Sequence, residues 1–246
     1  MISKPISTLA CIPLMSFLII SPSLYAADDS YLLPHQAPNS LLILPQPPAP
    51  DSVSLSHDQA IFKQMQVQRS DEQWKQAAID ADVSNEHLGI PFSEAFGLEI
   101  SKQNTPILFD LLRKVKRDSR YSTQDAKKHY NRQRPFAFYG VKTCTPHEET
   151  DLNTNGSYPS GHTTIGWTYA LILAEIRPDR QNEILKRGID FGQSRVVCNM
   201  HWQSDVDAGR ITGAAQFARL QADPKFKADL ARAKEEVQRV LTRKTK

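Results

Sequence analysis

The segment Gly156-Ser157-Tyr158-Pro159-Ser160-Gly161-His162-Thr163 decides the interpretation of the chain, because it runs directly into a long apolar stretch. A glycine-containing turn followed by an apolar run predicts a buried helix over Thr163–Ile176. The backbone amides of Ser160, Gly161 and His162 would then point outward from the positive end of that helix, which suits a phosphate. An ordinary helix cap with a surface histidine explains the same residues, so both interpretations stay open.

Helical patterns also dominate the rest of the chain from residue 56, and the alternation typical of strands is nearly absent. A capping box at Ser70–Gln73 opens a helix that ends near Asp82. Thr105 and Pro106 begin an apolar-striped helix, and Ser122–Asp125 predicts a separate helix that ends near Arg134. Further helices are predicted at Asp179–Val197, Ser204–Leu220 and 224–243. The fold class we expect is all-α, with one globular helical domain at 56–246.

Composition and charge exclude two broad classes of protein. Hydrophobic residues make up 40% of the 246 residues and charged residues 23%, so the whole chain is not disordered. The formal net charge of +3 comes without a dense basic stripe, so we expect no nucleic-acid polymer as a partner.

Residues 1–26 have the features of a secretory signal peptide. Lys4 is followed by the apolar run Leu9–Ile20, and small residues precede a cleavage point after Ala26. A membrane anchor is the alternative, but the run is shorter than the ~20 residues that a bilayer requires. We therefore expect a periplasmic protein whose mature form has no membrane attachment. Residues 27–55 are proline-rich, and we expect them to be extended over the domain.

Export also bears on the cysteines. Removal of residues 1–26 leaves Cys144 and Cys198. Because disulfides form in oxidising compartments, we expect these two cysteines to be bridged. Two separate buried thiols are the alternative.

Lys127 and Arg134, the latter followed by Pro135, form a candidate cationic pair. Seven residues span almost two helical turns, so we expect both side chains to project from one helix face and to converge on an anion. Runs of charge are usually solvated, and Lys128 and Arg132 are neighbours. A solvated cationic face is therefore the alternative.

A third cluster begins at Ser194-Arg195 and continues with His201 and Asp205. If a helix begins near His201, the Asp205 carboxylate lies one turn away and can accept the Nδ1–H of the imidazole. Nε2 would then be free to act as a nucleophile, while Arg195 could bind two oxygens of an anion. A purely structural His–Asp pair is the alternative.

The same residues do not fit two other kinds of active site. His162 and His201 are 39 residues apart and lack a third ligand at an obvious spacing, so no metal site is predicted. Ser160 does not stand in the Gly-x-Ser-x-Gly turn that a Ser-His-Asp hydrolase would need. Together, the three clusters predict one anion site that carries a nucleophile and an acid.

These clusters, in this order, resemble the type 2 phosphatidic acid phosphatase superfamily, whose pattern is K-x6-RP, PSGH and SR-x5-H-x3-D. Every fixed position of that pattern is met. The longer run at 156–163 resembles the signature of the class A bacterial non-specific acid phosphatases, which are related to the vanadium haloperoxidases. The resemblance extends to Phe92–Gly97, Arg134–Tyr139 and 201–207, and it implies the helical fold of that superfamily.

The resemblance implies a role for each matched residue. His201 would attack phosphorus and become phosphohistidine, Asp205 would fix its tautomer, and His162 would protonate the leaving oxygen. The other matched residues would bind phosphate: Lys127, Arg134, Ser160, Gly161 and Arg195. Such an enzyme would need no metal or other cofactor, although vanadate or phosphate could occupy the site as an analogue or product.

The resemblance also implies what the enzyme acts on. Its substrates would be small phosphomonoesters such as nucleotides and sugar phosphates, with an acidic optimum and phosphotransfer to alcohols as a side reaction. Homo-oligomers are expected. The alternatives are a nucleotide-selective apyrase of the same family, a vanadate-dependent haloperoxidase and a phosphate-binding protein without catalysis.

Overall fold

A computed structural model describes the protein at Met1 and at residues 29–244. The predicted signal peptide therefore lies, from residue 2 onward, outside the described residues. The regular structure of residues 29–244 consists of α-helices and short 3-10 helices, with no strand among them. The α-helices are α1 (Ser40–Ile43), α2 (Val53–Gln68), α3 (Asp71–Ala81), α4 (Ser93–Phe96), α5 (Pro106–Tyr130), α6 (Pro135–Tyr139), α7 (Glu149–Asn153), α8 (Gly161–Ile176), α9 (Gln181–Val197), α10 (Gln203–Leu220) and α11 (Pro224–Lys244). The prediction of an all-α fold is confirmed.

Most helix ends lie close to their predicted positions, because local sequence chemistry sets them. The Ser70 hydroxyl accepts the amide of Gln73, and the Gln73 side chain accepts the amide of Ser70, so the predicted capping box opens α3. Helices α8, α9, α10 and α11 begin and end within a few residues of the predicted bounds.

The prediction of two separate helices in the region of residues 105–134 is wrong, because α5 runs unbroken from Pro106 to Tyr130. Ser122 and Thr123 do not cap a new helix. Their hydroxyls donate to the carbonyl oxygens of Asp118 and Ser119, four residues earlier in the same helix. The helix ends instead at Asn131, which adopts a left-handed conformation at φ 38°.

Contrary to expectation, the proline-rich segment is not extended throughout residues 29–55, the part of it that the structure describes. Helix α1 lies within it, and α2 begins at Val53, where the Ser52 hydroxyl accepts the amide of Leu55. The segment that begins at residue 29 is fixed to α5, because the amides of Tyr31 and Leu32 donate to the carboxylate of Asp118. This segment is therefore part of the packed structure.

The core lies around α8, which packs against α5, α9 and α10. Its buried apolar side chains include Leu108, Leu112, Ile172, Leu173, Phe191 and Phe226. Helix α11 packs along α5. Its buried Glu236 accepts the amides of Ile107 and Leu108, two of the amides that the start of α5 leaves without a helical partner. No helix among residues 29–244 combines the length and the apolar character that a membrane crossing needs.

Helix α10 approaches the start of α8 closely because of one glycine. A Cβ atom at Gly209 would lie 2.7 Å from the carbonyl oxygen of Ser160 and 2.8 Å from Cβ of Thr163. Only glycine permits this separation between the two backbones. The packing of α8 and α10 therefore fixes where the turn before α8 lies relative to Asp205.

Cys144 and Cys198 form a disulfide, with Cα atoms 4.9 Å apart. The prediction of a bridge is confirmed. Cys198 ends α9, three residues after Arg195, whereas Cys144 lies in the loop between α6 and α7. The bridge therefore joins the end of the helix that carries Arg195 to the loop that follows Arg134.

Replacing both cysteines by serine should lower the free energy of unfolding by about 2–4 kcal/mol, because the unfolded chain would lose a cross-link that closes a long loop. Urea unfolding of the oxidised protein and of Cys144→Ser/Cys198→Ser measures the difference. A reducing agent should lower the stability of the wild-type protein. The stability of the double variant should not change on reduction. Equal stabilities of the two oxidised proteins would contradict the prediction.

Candidate active site

The three predicted clusters meet at one cavity of about 860 Å³. The matched residues that line it are Lys127, Arg134, Gly161, His162, Arg195 and His201. Ser160 and Asp205, both fully buried, lie behind this lining layer. The structure thus brings together side chains from α5, from the start of α6, from the start of α8 and from the end of α9.

Backbone hydrogen bonds hold the segments in register. The amide of Ser160 donates to the carbonyl oxygen of Asp205, and the amide of Phe136 donates to that of Asn199. Ser157 donates in the same way to the carbonyl of Arg132. Each cluster is therefore joined to the other two through its main chain, which fixes their spacing without using the functional side chains.

Arg195 is the most unusual residue of the site. Its side chain is fully buried, yet Nε, Nη1 and Nη2 have no hydrogen-bond partner in the described structure. Burial lowers its pKa to about 10, against the opposing influence of Glu148 and Asp80. A buried guanidinium with three unsatisfied nitrogens is costly unless an anion fills the space in front of it.

Ser194, the neighbour of Arg195, helps to fix α9 at this point. Its hydroxyl donates to Oδ2 of Asp80 at 2.5 Å. Asp80 is fully buried at the end of α3 and is also paired with Arg187. The serine of the Ser-Arg pair therefore points away from the anion space and contributes to the packing of α9 on α3.

Arg134 and Lys127 provide two further cations, but not from one helix face as was expected. Lys127 belongs to the last turn of α5, whereas Arg134 is the N-cap residue of α6. The left-handed residue Asn131 turns the chain between them, so the two side chains approach the cavity from different directions. The sequence spacing correctly suggested convergence, but the reason was wrong.

The contacts of these two cations are mostly with backbone carbonyls. Lys127 Nζ donates to the carbonyl of Gly156 at 2.7 Å, and Arg134 Nε donates to that of Leu152 at 2.9 Å. Burial, followed by the charge of Arg134, holds the pKa of Lys127 well below its usual range. Burial lowers the pKa of Arg134 to about 10. Neither cation has a carboxylate partner in direct contact, so both retain capacity for an anion.

The contacts of His201 define its tautomer. Its Nδ1 lies 3.3 Å from Oδ2 of Asp205, and its Nε2 lies 3.0 Å from Nη1 of Arg134. A guanidinium can only donate and a carboxylate can only accept. The proton therefore lies on Nδ1, and Nε2 presents its lone pair. His201 itself precedes α10, which begins at Gln203, so the expected helix start near His201 lies two residues further on.

A tight turn at the end of α9 places His201 beside the cations. Its amide and that of Met200 both donate to the carbonyl oxygen of Arg195, at 3.1 and 3.0 Å. Burial, and then the charges of Arg134 and Lys127, keep the pKa of His201 well below its usual range. Both effects favour the neutral form of the imidazole in the anion-free protein.

His162 occupies the second position of α8 and reaches the cavity from the opposite cluster. Its Nε2 donates to the carbonyl oxygen of Ala81 at 2.8 Å. Nδ1 is consequently the ring nitrogen that can exchange a proton with a ligand. Burial, and then the charge of Arg195, lower the pKa of His162 well below its usual range. A bound anion would oppose this effect and favour the protonated form.

Ser160 differs from its expected arrangement. Its amide does not point toward a ligand, since it donates to the carbonyl of Asp205 at 2.9 Å. Its hydroxyl accepts both the amide and the hydroxyl of Thr163. The amides of Gly161 and His162, the first two of α8, are those that the helix leaves without an internal acceptor.

Sequence reasoning missed Arg132 and Asp58. The alternative interpretation places Arg132 on a solvated cationic face, but its side chain is only 10% exposed and is paired with two carboxylates. One belongs to Asp205, and the other belongs to Asp58 of α2. The spacing of Arg132 from Lys127 and Arg134 offered no separate signal, and no motif surrounds Asp58.

Comparisons with known proteins agree with this geometry. Residues 119–222 match the family model of the PAP2 superfamily. A non-specific acid phosphatase of Providencia stuartii is 45% identical over 94% of this chain and 91% of its own length. The chain belongs to the acid phosphatases of the PAP2 superfamily. The non-specific acid phosphatase of Salmonella typhimurium is 47% identical over 83% of this chain and 82% of its own length.

A more distant member of the same group covers a similar share of the chain. The acid phosphatase of Zymomonas mobilis is 37% identical over 85% of this chain and 79% of its own length. The PAP2 match includes every predicted site residue, from Lys127 to Asp205. Within residues 29–244, no group of three or more His, Cys, Asp or Glu side chains is arranged to hold a metal ion.

Replacing Arg195 by methionine should stabilise the anion-free protein while removing phosphate binding. Methionine fills much of the same volume without an unpaired buried charge, so the free energy of unfolding should rise by about 1–4 kcal/mol. Inorganic phosphate should raise the melting temperature of the wild-type protein but not that of Arg195→Met. Arg177→Met is the matched control, because Arg177 is also nearly buried but is paired with Asp179.

This control should gain no stability and should keep the response to phosphate. A loss of stability in Arg195→Met comparable to that in Arg177→Met would contradict the interpretation of Arg195 as an uncompensated charge. Thermal and urea unfolding in phosphate-free buffer provide both measurements.

The anion-free protein should lose stability as the pH falls from 7 toward 5. The unfolded chain protonates its histidines near pH 6.5. The folded site protonates His162 and His201 only at lower pH. The unfolded state therefore binds more protons in this window, and stability falls by up to about 1.4 kcal/mol per pH unit for each histidine.

Urea unfolding at pH 7, 6 and 5 tests this dependence. The double variant His162→Asn/His201→Asn should have the flatter profile, because it lacks both groups. Identical slopes for the variant and the wild-type protein would show that the two histidines do not cause the dependence.

Proposed function

We propose that the protein is an exported, metal-independent acid phosphatase of broad specificity that hydrolyses small phosphomonoesters through a phosphohistidine on His201. The observation that carries this proposal is that one unprotonated imidazole nitrogen and an unsatisfied buried guanidinium face the same cavity. Nε2 of His201 presents its lone pair, and Arg195 has three free donors at the same cavity. The first can attack phosphorus while the second holds phosphoryl oxygens.

The charge of the substrate fits the charge of the site. A phosphomonoester carries between one and two negative charges at acidic to neutral pH. Lys127, Arg134 and Arg195 provide three positive charges without a carboxylate in direct contact. In the anion-free protein Arg134 donates to Nε2 of His201. A bound phosphoryl group would take over that donor and release the nucleophile.

The first chemical step transfers the phosphoryl group to the enzyme. Nε2 of His201 forms a bond to phosphorus while the bond from phosphorus to the ester oxygen breaks. Protonated His162 gives its Nδ1 proton to the departing oxygen, which leaves as an alcohol. The Asp205 carboxylate accepts the Nδ1–H of His201 and stabilises the positive charge that the ring acquires.

The second step returns the enzyme to its starting state. His162 accepts a proton from water, whose oxygen bonds to phosphorus as the bond between nitrogen and phosphorus breaks. Inorganic phosphate leaves, and both histidines regain their initial protonation. An alcohol in place of water would give a transferred phosphoester. The need for protonated His162 and neutral His201 at the same time explains the proposed acidic optimum.

A nucleotide-selective apyrase is the second candidate, and one feature of the cavity favours it. Beyond the catalytic residues the cavity continues along α5, where Lys116, Arg117 and Arg120 line it. These cations belong to the same helix as Lys127 and precede it by about two to three turns, so they could contact further phosphates of a nucleotide. Rates with nucleoside mono-, di- and triphosphates, compared with those for sugar phosphates, distinguish the two candidates.

The wild-type protein should hydrolyse p-nitrophenyl phosphate between pH 5 and 7, and EDTA should leave the rate unchanged because side chains supply the positive charge. His201→Ala should lose essentially all activity, since it lacks the attacking nitrogen. Rapid acid-free quenching with radiolabelled substrate should trap label on His201 in the wild-type protein. His129→Ala is the control, because His129 is exposed and does not line the cavity.

Full activity in His201→Ala would contradict the proposed mechanism. A requirement for an added divalent metal would also contradict it. Phosphate binding without turnover in the wild-type protein would favour the non-catalytic alternative.

A further inference from the structure

A row of alternating charges runs behind the nucleophile. It begins at Asp58 of α2, continues through Arg132 and Asp205, and ends at His201. Asp58 and Asp205 are buried, and the side chain of Arg132 is 10% exposed. Arg132 and Asp58 do not line the cavity. They therefore have no direct route to a bound phosphoryl group.

The two oxygens of the Asp205 carboxylate have separate partners. Oδ1 accepts Nη1 of Arg132 at 2.6 Å. Oδ2 accepts the backbone amide of Trp202 at 2.9 Å and faces Nδ1 of His201 at 3.3 Å. A carboxylate held at one oxygen by a guanidinium has its other oxygen fixed in direction. The orientation of Oδ2 toward His201 is thus set by Arg132 at one oxygen and by the Trp202 amide at the other.

Asp58 holds Arg132 and the start of α10 together. Its Oδ2 accepts Nη2 of Arg132 at 2.7 Å, and its Oδ1 accepts the amide of Ser204 at 2.9 Å. The hydroxyl of Ser204 also donates to Asp58 and accepts Nη1 of Arg132. One carboxylate from a distant part of the chain therefore fixes both the guanidinium and the helix that carries Asp205.

We propose that Arg132 and Asp58 are positioning residues of the reaction, which hold the Asp205 carboxylate in the orientation that keeps the nucleophilic tautomer of His201. The inference rests on the proposed role of His201 as the nucleophile. It goes beyond that role because it assigns a function to a pair of residues that touch neither substrate nor the reacting atoms.

Arg132 has a second effect on the same carboxylate. Asp205 lies close enough to Arg134 and Lys127 to raise the pKa of both against the effect of burial. If the carboxylate turned toward these cations, it would neutralise charge that the phosphoryl group requires. The bond between Arg132 and Oδ1 keeps Asp205 directed toward His201, so the phosphate-binding cations remain available.

The test compares Arg132→Met, Arg132→Lys and Asp58→Asn with the wild-type protein and with His201→Ala. The rate of p-nitrophenyl phosphate hydrolysis gives kcat/KM, and inhibition by inorganic phosphate reports on anion binding. Arg132→Met should lose about 10- to 100-fold in kcat/KM, by analogy with the loss seen when an outer residue that orients a metal-binding histidine is removed. Its inhibition constant for inorganic phosphate should rise by a smaller factor than kcat/KM falls, because the phosphate-binding side chains are intact and are opposed only by the released Asp205 carboxylate.

The other variants sharpen the comparison. Arg132→Lys should be intermediate, since an ammonium group cannot bridge two carboxylates as a guanidinium does. Asp58→Asn removes one charge at constant volume and should show a smaller loss in the same direction. It also carries the test if Arg132→Met does not fold. Arg177→Met is the matched control, because it breaks an arginine–aspartate pair remote from the cavity and should keep wild-type kcat/KM.

Nitrogen NMR of the histidine rings gives a readout that a purely structural role would not change. The spectra are recorded with bound inorganic phosphate, which takes over the Arg134 donor that otherwise fixes Nε2. Under these conditions the His201 ring of the wild-type protein should be present as the Nδ1–H tautomer, and Arg132→Met should give a mixture of tautomers. A folded Arg132→Met with wild-type kcat/KM, or with an unchanged tautomer, would overturn the inference. The proposed function would still stand in that case, provided that His201→Ala is inactive. Activity in His201→Ala would overturn both.

Discussion

The structure depends on a concentration of buried positive charge that the protein does not neutralise. Arg195 is fully buried without a partner, and Arg134 and Lys127 enter the same cavity with contacts mainly to carbonyl oxygens. Charges of one sign in a poorly solvated space repel each other and resist desolvation. The lowered pKa values of both cavity histidines have the same origin. These side chains on their own are therefore electrostatically strained, and an anion with about two negative charges relieves that strain.

The rest of the fold must hold this site together against its own repulsion. Main-chain bonds between Ser160 and Asp205, and between Phe136 and Asn199, join segments that carry the cations. The close approach of α10 at Gly209 and the disulfide at Cys198 restrict the same region. These constraints involve backbone and cross-links, so they leave the polar side chains free for the ligand. This division explains how the protein combines a rigid site with unsatisfied donors.

The sequence was most informative where the determining interactions are local. The capping box at Ser70 and the apolar run of α8 predict helices because their signals lie within a few residues. The break predicted at Ser122 fails for the same reason. The Ser122 hydroxyl can either accept an amide at the start of a new helix or donate to a carbonyl of the preceding turn. Only the tertiary packing of the continuous α5 selects the second option.

The composition of the site was predicted better than its geometry. The matched residues do line or support one cavity, but the sequence could not indicate that the Ser160 amide is used by Asp205 or that Arg134 caps a new helix. Asp58 and Arg132 pair across 74 residues of chain. Nothing in the local pattern of either residue encodes that contact, because it exists only once α2 packs beside the start of α10.

The boundaries of the PAP2 match have a consequence for the modularity of this enzyme. Residues 119–222 contain every predicted catalytic and phosphate-binding residue. However, the carbonyl that orients His162 belongs to Ala81, the carboxylate that holds Arg132 belongs to Asp58, and the start of α5 is capped by Glu236. The signature region is therefore not an independent unit that recombination could transplant. The catalytic region should therefore be inherited together with the rest of the chain. In keeping with this, the relatives align over 83% to 94% of the chain.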